Sequence, residues 1–120
     1  MQRGFACALD RLDAAIRIRV SGELDLHTVR SVLPLLDDAS HGSEPLILDC
    51  ADVTFMDSTA LGHIHRYFQE AQLRRQSFVL VVNHASVLKV LRITGLAEVI
   101  PIVADLQAAK RYARITMESS

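Results

Sequence analysis

Two short apolar runs constrain the fold most. Leu46-Ile47-Leu48-Asp49-Cys50 and Ser77-Phe78-Val79-Leu80-Val81-Val82 are apolar at successive rather than alternate positions. A strand reads that way when both of its faces are buried, as in a parallel sheet covered by helices. A stretch with helical periodicity follows each run. Leu61, Ile64, Phe68 and Ala71 form a stripe after the first, and Val87, Leu88 and Leu91 after the second. Strand and helix patterns in alternation imply βαβ units with right-handed crossovers.

The remaining segments fit around these units. Residues 4–9 read as a first strand and Asp10-Arg11-Leu12-Asp13 as a turn. Ala14, Ile16, Ile18 and Val20 alternate with Ala15, Arg17 and Arg19, which predicts a strand over 14–20 with one wet face, paired to the first as a hairpin. Ser21-Gly22-Glu23-Leu24-Asp25 leaves that strand. Val29, Val32, Leu33 and Leu36 stripe a helix, and Asp25 is a candidate cap for it. Pro34 removes a backbone donor and crowds the preceding turn, which predicts a kink or a late helix start. His41 to Pro45 is a loop.

After the strand at 46–50, residues 52–57 lead to a helix beginning near Ser58, with His63, Arg66 and Glu70 opposite its apolar stripe and His65 partly buried. The next helix spans 85–93, and Gly95 stands where a helix-ending glycine belongs. Val99 to Val103 contains Pro101, so that strand is expected at a sheet edge. Asp105 is positioned to cap a last helix carrying Leu106, Ala109, Tyr112 and Ala113. The predicted order is β-β-α-β-α-β-α-β-α, an α/β fold with a mixed sheet of four to five strands and about four helices.

Several function classes lose support at this stage. The formal net charge is −1 and the basic residues are scattered, unlike a nucleic-acid-binding face. No apolar stretch approaches the ~20 residues of a membrane span, and the first residues lack the apolar core of a secretory signal. A cytoplasmic protein without membrane insertion is expected. Cys7 and Cys50 are far apart in sequence and read as reduced and buried. None of the histidines, at 27, 41, 63, 65 and 84, has a metal-ligand spacing such as His-Glu-x-x-His. His63 and His65 beside Asp57 and Ser58 suggest a hydrolase, but no Gly-x-Ser-x-Gly elbow is present. Nor is there a glycine-rich phosphate loop. The chain is expected to bind a partner rather than to catalyse, with no metal and no cofactor.

The segment Phe55-Met56-Asp57-Ser58-Thr59-Ala60-Leu61 carries most of the functional information. A serine at a helix start usually accepts a backbone N–H as a cap, and Asp57 could do that equally well. The same position tolerates added negative charge. A phosphate on Ser58 would bring roughly −1.5 to −2 charges, of which the helix dipole offsets ~0.3–1 kcal/mol. Repulsion from Asp57 at ~5–6 Å is on the order of 3 kcal/mol per charge pair before screening, and much less at an exposed end. The fold is therefore expected to survive the phosphate. A partner docked over a dianion would have to desolvate it, which is costly unless a cation meets it.

Val53-Thr54-Phe55-Met56-Asp57-Ser58-Thr59-Ala60-Leu61-Gly62 resembles the phosphorylation motif of the bacterial anti-sigma factor antagonists, single-domain members of the sulphate transporter and anti-sigma factor antagonist (STAS) family. Gly22-Glu23-Leu24-Asp25 resembles the family's segment after its second strand. Leu46 to Asp49 resembles the strand before the motif, and Val87 to Leu91 with Gly95-Leu96 resembles the penultimate helix and its stop. The similarity covers roughly residues 5–115 and implies one STAS domain over 1–120. It implies that Ser58 is phosphorylated by a partner that is both anti-sigma factor and serine kinase, with Thr59 as a secondary acceptor. The unphosphorylated chain would bind that partner and free a sigma factor. The phosphorylated chain would let go until a phosphoserine phosphatase resets it. Asp25, Asp57, Thr59, Ala60, Gly62, His63 and Arg66 would flank the site or meet the partner. The alternative within the family is a scaffold of a stress-sensing complex or an accessory domain of a membrane transporter.

Two positions depart from the family pattern. Ala60 stands where glycine is common, and Arg74-Arg75-Gln76 stands where a glycine pair is common. Alanine forms helix more readily than glycine, so a firmer start to the helix is expected.

Overall fold

A computed structural model describes residues 4–118. Five strands form one sheet in chain order: β1 (Ala6–Arg11), β2 (Ile16–Leu24), β3 (Leu46–Met56), β4 (Phe78–Val82) and β5 (Ile102–Val103). β1 and β2 are antiparallel and every other pairing is parallel. Four helices connect or follow them: α1 (Val29–Ala39), α2 (Ser58–Leu73), α3 (Ala85–Ile93) and α4 (Leu106–Glu118). This is the element order and the mixed sheet expected from the sequence. A single 3-10 turn, Leu96–Glu98, was not foreseen.

Parallel strands that follow one another in chain order place all right-handed crossovers on one face. The packing matches that arrangement. Val32 and Leu36 of α1, Leu61 and Ile64 of α2, and Val87 and Leu91 of α3 share one core with Ile18, Leu48 and Leu80 of the sheet. Among the described residues only α4 covers the other face, where Ala109 and Ala113 pack on Ile47, Val79 and Val81. Both faces of β3 and β4 are therefore buried, which is why their sequences lack alternation. Fully burying a side chain such as Leu36 contributes roughly 1.5–3 kcal/mol.

Several boundaries differ from expectation. β1 runs Ala6–Arg11 rather than 4–9, and the hairpin turn follows it, closed by the Leu12 N–H on the Ala15 carbonyl at 2.8 Å. β2 does not end at Val20. It continues to Leu24 through a register shift at Gly22, whose φ of +97° suits glycine. A Cβ there would lie 2.8 Å from the Gly4 carbonyl oxygen, so bare backbone is required. β3 does not end at Cys50. Beyond its last pair with β4, Cys50–Val82, it continues beside β2 to the pair Leu24–Met56. α1 begins at Val29 and passes through Pro34. Pro34 is exposed, so water can meet the carbonyl that its missing N–H leaves unpaired.

Other expectations match closely. α3 spans the predicted 85–93, and Gly95 follows it with a φ of +81°. The Asp105 carboxylate accepts the Ala108 N–H at 2.8 Å at the start of α4. β5 lies at the sheet edge, shortened to two residues beside Pro101. Cys7 and Cys50 lie on β1 and β3, with β2 between them; Cys50 is buried as expected, whereas Cys7 is only half-buried. Two strand spacings make about 10 Å, beyond disulfide reach, and both cysteines are free.

Candidate functional site

The ribbon formed by β2 and β3 projects past the end of β4 and carries the candidate site at its tip. The C-terminal ends of parallel strands are the usual place for function in such sheets. β3 delivers Asp57 and Ser58, and β2 delivers the loop Asp25–Thr28. A third element is tied to the same ribbon: the Ser86 hydroxyl, in the first turn of α3, donates to the Thr54 carbonyl at 2.9 Å.

Asp57 is the cap of α2. Its backbone is extended, with φ −99° and ψ 177°. Its Oδ1 accepts the Ala60 N–H at 2.9 Å. Its Oδ2 accepts the Leu26 N–H at 2.9 Å, across to the other loop. The Asp57 N–H also donates to the Leu24 carbonyl at 3.2 Å, extending the β2–β3 ribbon by one bond. The charge of Asp57 is thus spread over two backbone donors.

Ser58 is the first helical residue and is exposed. Capping is done by its neighbour, so its hydroxyl has no structural duty in the cap. No hydrogen bond joins it to a histidine among the described residues. The nearest cation along α2 is Arg66, eight residues on and ~12 Å along the axis. A phosphate on Ser58 would meet the positive end of the helix dipole without an arginine of α2 to neutralise it.

The Asp25 loop is locked internally. Asp25 Oδ1 accepts the N–H groups of His27 at 2.9 Å and Thr28 at 3.0 Å. The Thr28 hydroxyl accepts the Asp25 N–H at 2.9 Å and donates to the Glu23 carbonyl at 2.8 Å. Thr28, buried, is the residue that precedes α1. Asp25 therefore caps the turn that runs into α1, as expected: its carboxylate takes the His27 and Thr28 N–H groups, and its carbonyl accepts the Val29 N–H at 2.9 Å. The Thr28 N–H, with smaller help from His27, holds the Asp25 carboxyl below the usual aspartate range.

The other predicted residues divide by burial. Thr59, Gly62 and Arg66 are exposed and His63 is half-buried. Gly62 follows Ser58 by one helical turn, and a Cβ added there would meet open space. The Arg66 guanidinium lies over the Tyr67 ring, 5.2 Å from its centroid. Tyr67 in turn donates a hydrogen bond to Asp37 of α1. Burial first, and then this bond to a carboxylate, push the Tyr67 hydroxyl up to about 12. Ala60 is fully buried, so its side chain faces the core and only its backbone N–H serves the site.

The sequence reading missed three contributors. Leu26 meets Asp57 through its backbone, a contact without a side-chain signature. Thr28 was readable from the Asp-x-x-Thr spacing, which suits such a turn. Leu26 and Phe55 are both 46% exposed and place apolar surface beside Ser58. Among the described residues no helix is long and apolar enough to cross a membrane, and no three His, Cys, Asp or Glu side chains gather to hold a metal.

Comparison with known proteins agrees with this geometry. The anti-sigma-B factor antagonist of Listeria monocytogenes is 33% identical over 89 residues, spanning 72% of this chain and 77% of that protein. An anti-sigma factor antagonist from Mycobacterium paratuberculosis superposes with a TM-score of 0.81 at 22% identity, covering 92% of this chain and 94% of that one. The Bacillus cell fate determinant SpoIIAA in its phosphorylated form superposes with a TM-score of 0.65 at 22% identity, covering 88% of this chain and 98% of that one. The family model for the STAS domain matches residues 7–109. The chain belongs to the STAS domain family.

Proposed function

We propose that this chain is an anti-sigma factor antagonist that works by partner switching, with Ser58 as its switch. Unphosphorylated, it binds an anti-sigma factor that is also a serine kinase, and the sigma factor is freed. In the reverse step the Ser58 hydroxyl oxygen attacks the γ-phosphorus of the kinase's ATP. ADP leaves and the hydroxyl proton passes to a base of the kinase. The complex then separates, and a phosphoserine phosphatase restores the hydroxyl by hydrolysis. The chain itself performs no catalysis in this scheme and acts in the cytoplasm.

One observation carries the reading most. Asp57 caps α2 with both carboxylate oxygens engaged, which leaves the exposed Ser58 hydroxyl free for modification. The names of the similar proteins, and the phosphorylated form of the Bacillus protein, point the same way. The docking surface would comprise the locked Asp25 loop, exposed Leu26 and Phe55, and the exposed face of α2 through Thr59, Gly62, His63 and Arg66. A dianion at Ser58 would share this surface with the apolar Leu26 and Phe55 and the carboxylates of Asp25 and Asp57, with the Arg66 cation eight residues away along α2. Burying it under a partner is costly, whereas leaving it in water at a helix N-terminus is not. Thr59, also exposed, is the secondary acceptor.

The test is phosphorylation by the cognate anti-sigma kinase with ATP, followed by tandem mass spectrometry. The reading predicts one phosphate, on Ser58. Phosphate confined to other residues would refute the site.

A further inference from the structure

A cavity of about 510 Å³ opens at the far end of α2 from Ser58, where the strands β3 and β4 begin. That volume lies within the range of small-molecule sites. Its apolar side includes Phe68 and Phe78, buried and packed edge to face with centroids 5.7 Å apart, together with Pro101 and Tyr112. Among the described residues no carboxylate lines it, and Arg75 is the one charged side chain that does. The wall beneath is fixed. The buried Gln76 amide donates to the Ala39 and Glu44 carbonyls at 2.9 and 3.0 Å, and its oxygen accepts from Arg74.

Arg75 occupies this rim at a conformational cost. α2 ends in a Schellman motif, with the Gln76 N–H on the Ala71 carbonyl at 2.8 Å and the Arg75 N–H on the Gln72 carbonyl at 3.0 Å. The residue between those bonds must be left-handed, and Arg75 has a φ of +60°. Glycine takes that conformation freely and is the usual choice. Arg75 is also the only non-glycine with positive φ among the described residues. A strained position that supplies the one charge among the described residues lining the cavity points to ligand contact.

We infer that this cavity binds a small aromatic monocarboxylate. The planar body would lie against the half-buried Pro101 and Tyr112, over the floor made by the Phe68–Phe78 pair, and the Arg75 guanidinium would take the carboxylate through two parallel N–H donors. A single cation with no nearby lining acid matches a single negative charge. This inference is independent of the Ser58 reading.

Titration of the ¹⁵N-labelled protein with phenylacetate, and with its neutral isostere phenylacetamide, tests it by NMR. Saturable shifts are expected for phenylacetate at residues 75–78 and at Tyr112, with phenylacetamide at least about tenfold weaker. Arg75→Gly is expected to keep the fold and to weaken phenylacetate by a similar factor. Arg75→Asn, which also tolerates a left-handed backbone, serves the same purpose if the glycine variant does not fold. Arg75→Lys, a point charge without the fork, is expected to fall between. The inference is overturned by any of three results: no saturable phenylacetate shifts, equal binding of the amide, or unchanged binding in the glycine or asparagine variant.

Discussion

The Oδ2 of Asp57 accepts the N–H of Leu26 at 2.9 Å, joining the start of α2 to a loop 31 residues earlier in the chain. The same carboxylate caps α2 through Ala60. One side chain thus fixes the geometry of both segments that flank Ser58. The candidate switch is rigid because Asp57 is committed twice, and modifiable because Ser58 is not committed in the cap at all.

Replacing Asp57 should therefore loosen two elements at once. Loss of a helix cap costs ~1 kcal/mol, and loss of a hydrogen bond to a partly exposed backbone donor adds about 0.5–1.5 kcal/mol. Asp57→Ala is expected to destabilise the fold by about 2 kcal/mol in urea denaturation. Asp57→Asn, which keeps acceptor capacity on one atom only, should cost less than the alanine change. Equal costs would mean that only the charge matters.

Asp25 gives a pH signature. Its folded pKa is depressed, chiefly by the Thr28 N–H. A depressed carboxylate contributes stability that is fully present above its unfolded value of about 3.9 and is lost as pH falls through the folded value. Wild type should thus lose more stability than Asp25→Asn as pH is lowered from about 5 towards 3. Parallel pH profiles of the two proteins would contradict the Thr28 contact.

Gly62 separates folding from binding. An added methyl group meets open space, so Gly62→Ala should stabilise α2 by about 1 kcal/mol, the propensity difference between the two residues. If the partner packs on this bare stretch of helix, the same change weakens binding to the anti-sigma kinase. Higher stability with lower affinity is the expected pair of results, read by thermal unfolding and by calorimetry. Unchanged affinity would remove Gly62 from the docking surface.

Tyr67 reports on the α1–α2 seam. An acid raised to about 12 in the fold favours its neutral form. Its contribution is complete below the unfolded value of about 10 and is lost as pH rises through about 12. A tyrosinate absorbance titration should show a late step that Tyr67→Phe removes. That substitution is expected to cost about 1 kcal/mol for the lost hydrogen bond to Asp37.

Local signals made part of this architecture legible. The helical stripe of α3, its stop at Gly95 and the Asp105 cap needed only neighbouring residues to be read. The apolar runs of β3 and β4 announced two buried faces. What the sequence hid was set by contacts distant along the chain. β3 continues through Asp52 and Thr54 because β2 extends beside it, and β2 continues through Gly22 because the Gly4 carbonyl leaves no room for a side chain there. Both segments look like exits from strands when read alone. At the site, Ser58 and Asp57 were legible as a polar helix start, but two readings of the cap were open. The Ala60 N–H on Asp57 Oδ1 resolves the cap in favour of Asp57, while the Leu26 N–H on the other oxygen is a contact that no sequence pattern contains. Ala60 was expected to flank the site or meet the partner, yet helical geometry turns its side chain into the core.

The most direct measurement is the affinity of the cognate anti-sigma kinase for Ser58→Ala and for Ser58→Asp, determined side by side on folded proteins. Partner switching at Ser58 predicts that Ser58→Ala binds as the unmodified chain does and that Ser58→Asp binds at least about tenfold more weakly, a loss of about 1.4 kcal/mol or more. Equal affinities for the two variants would contradict it.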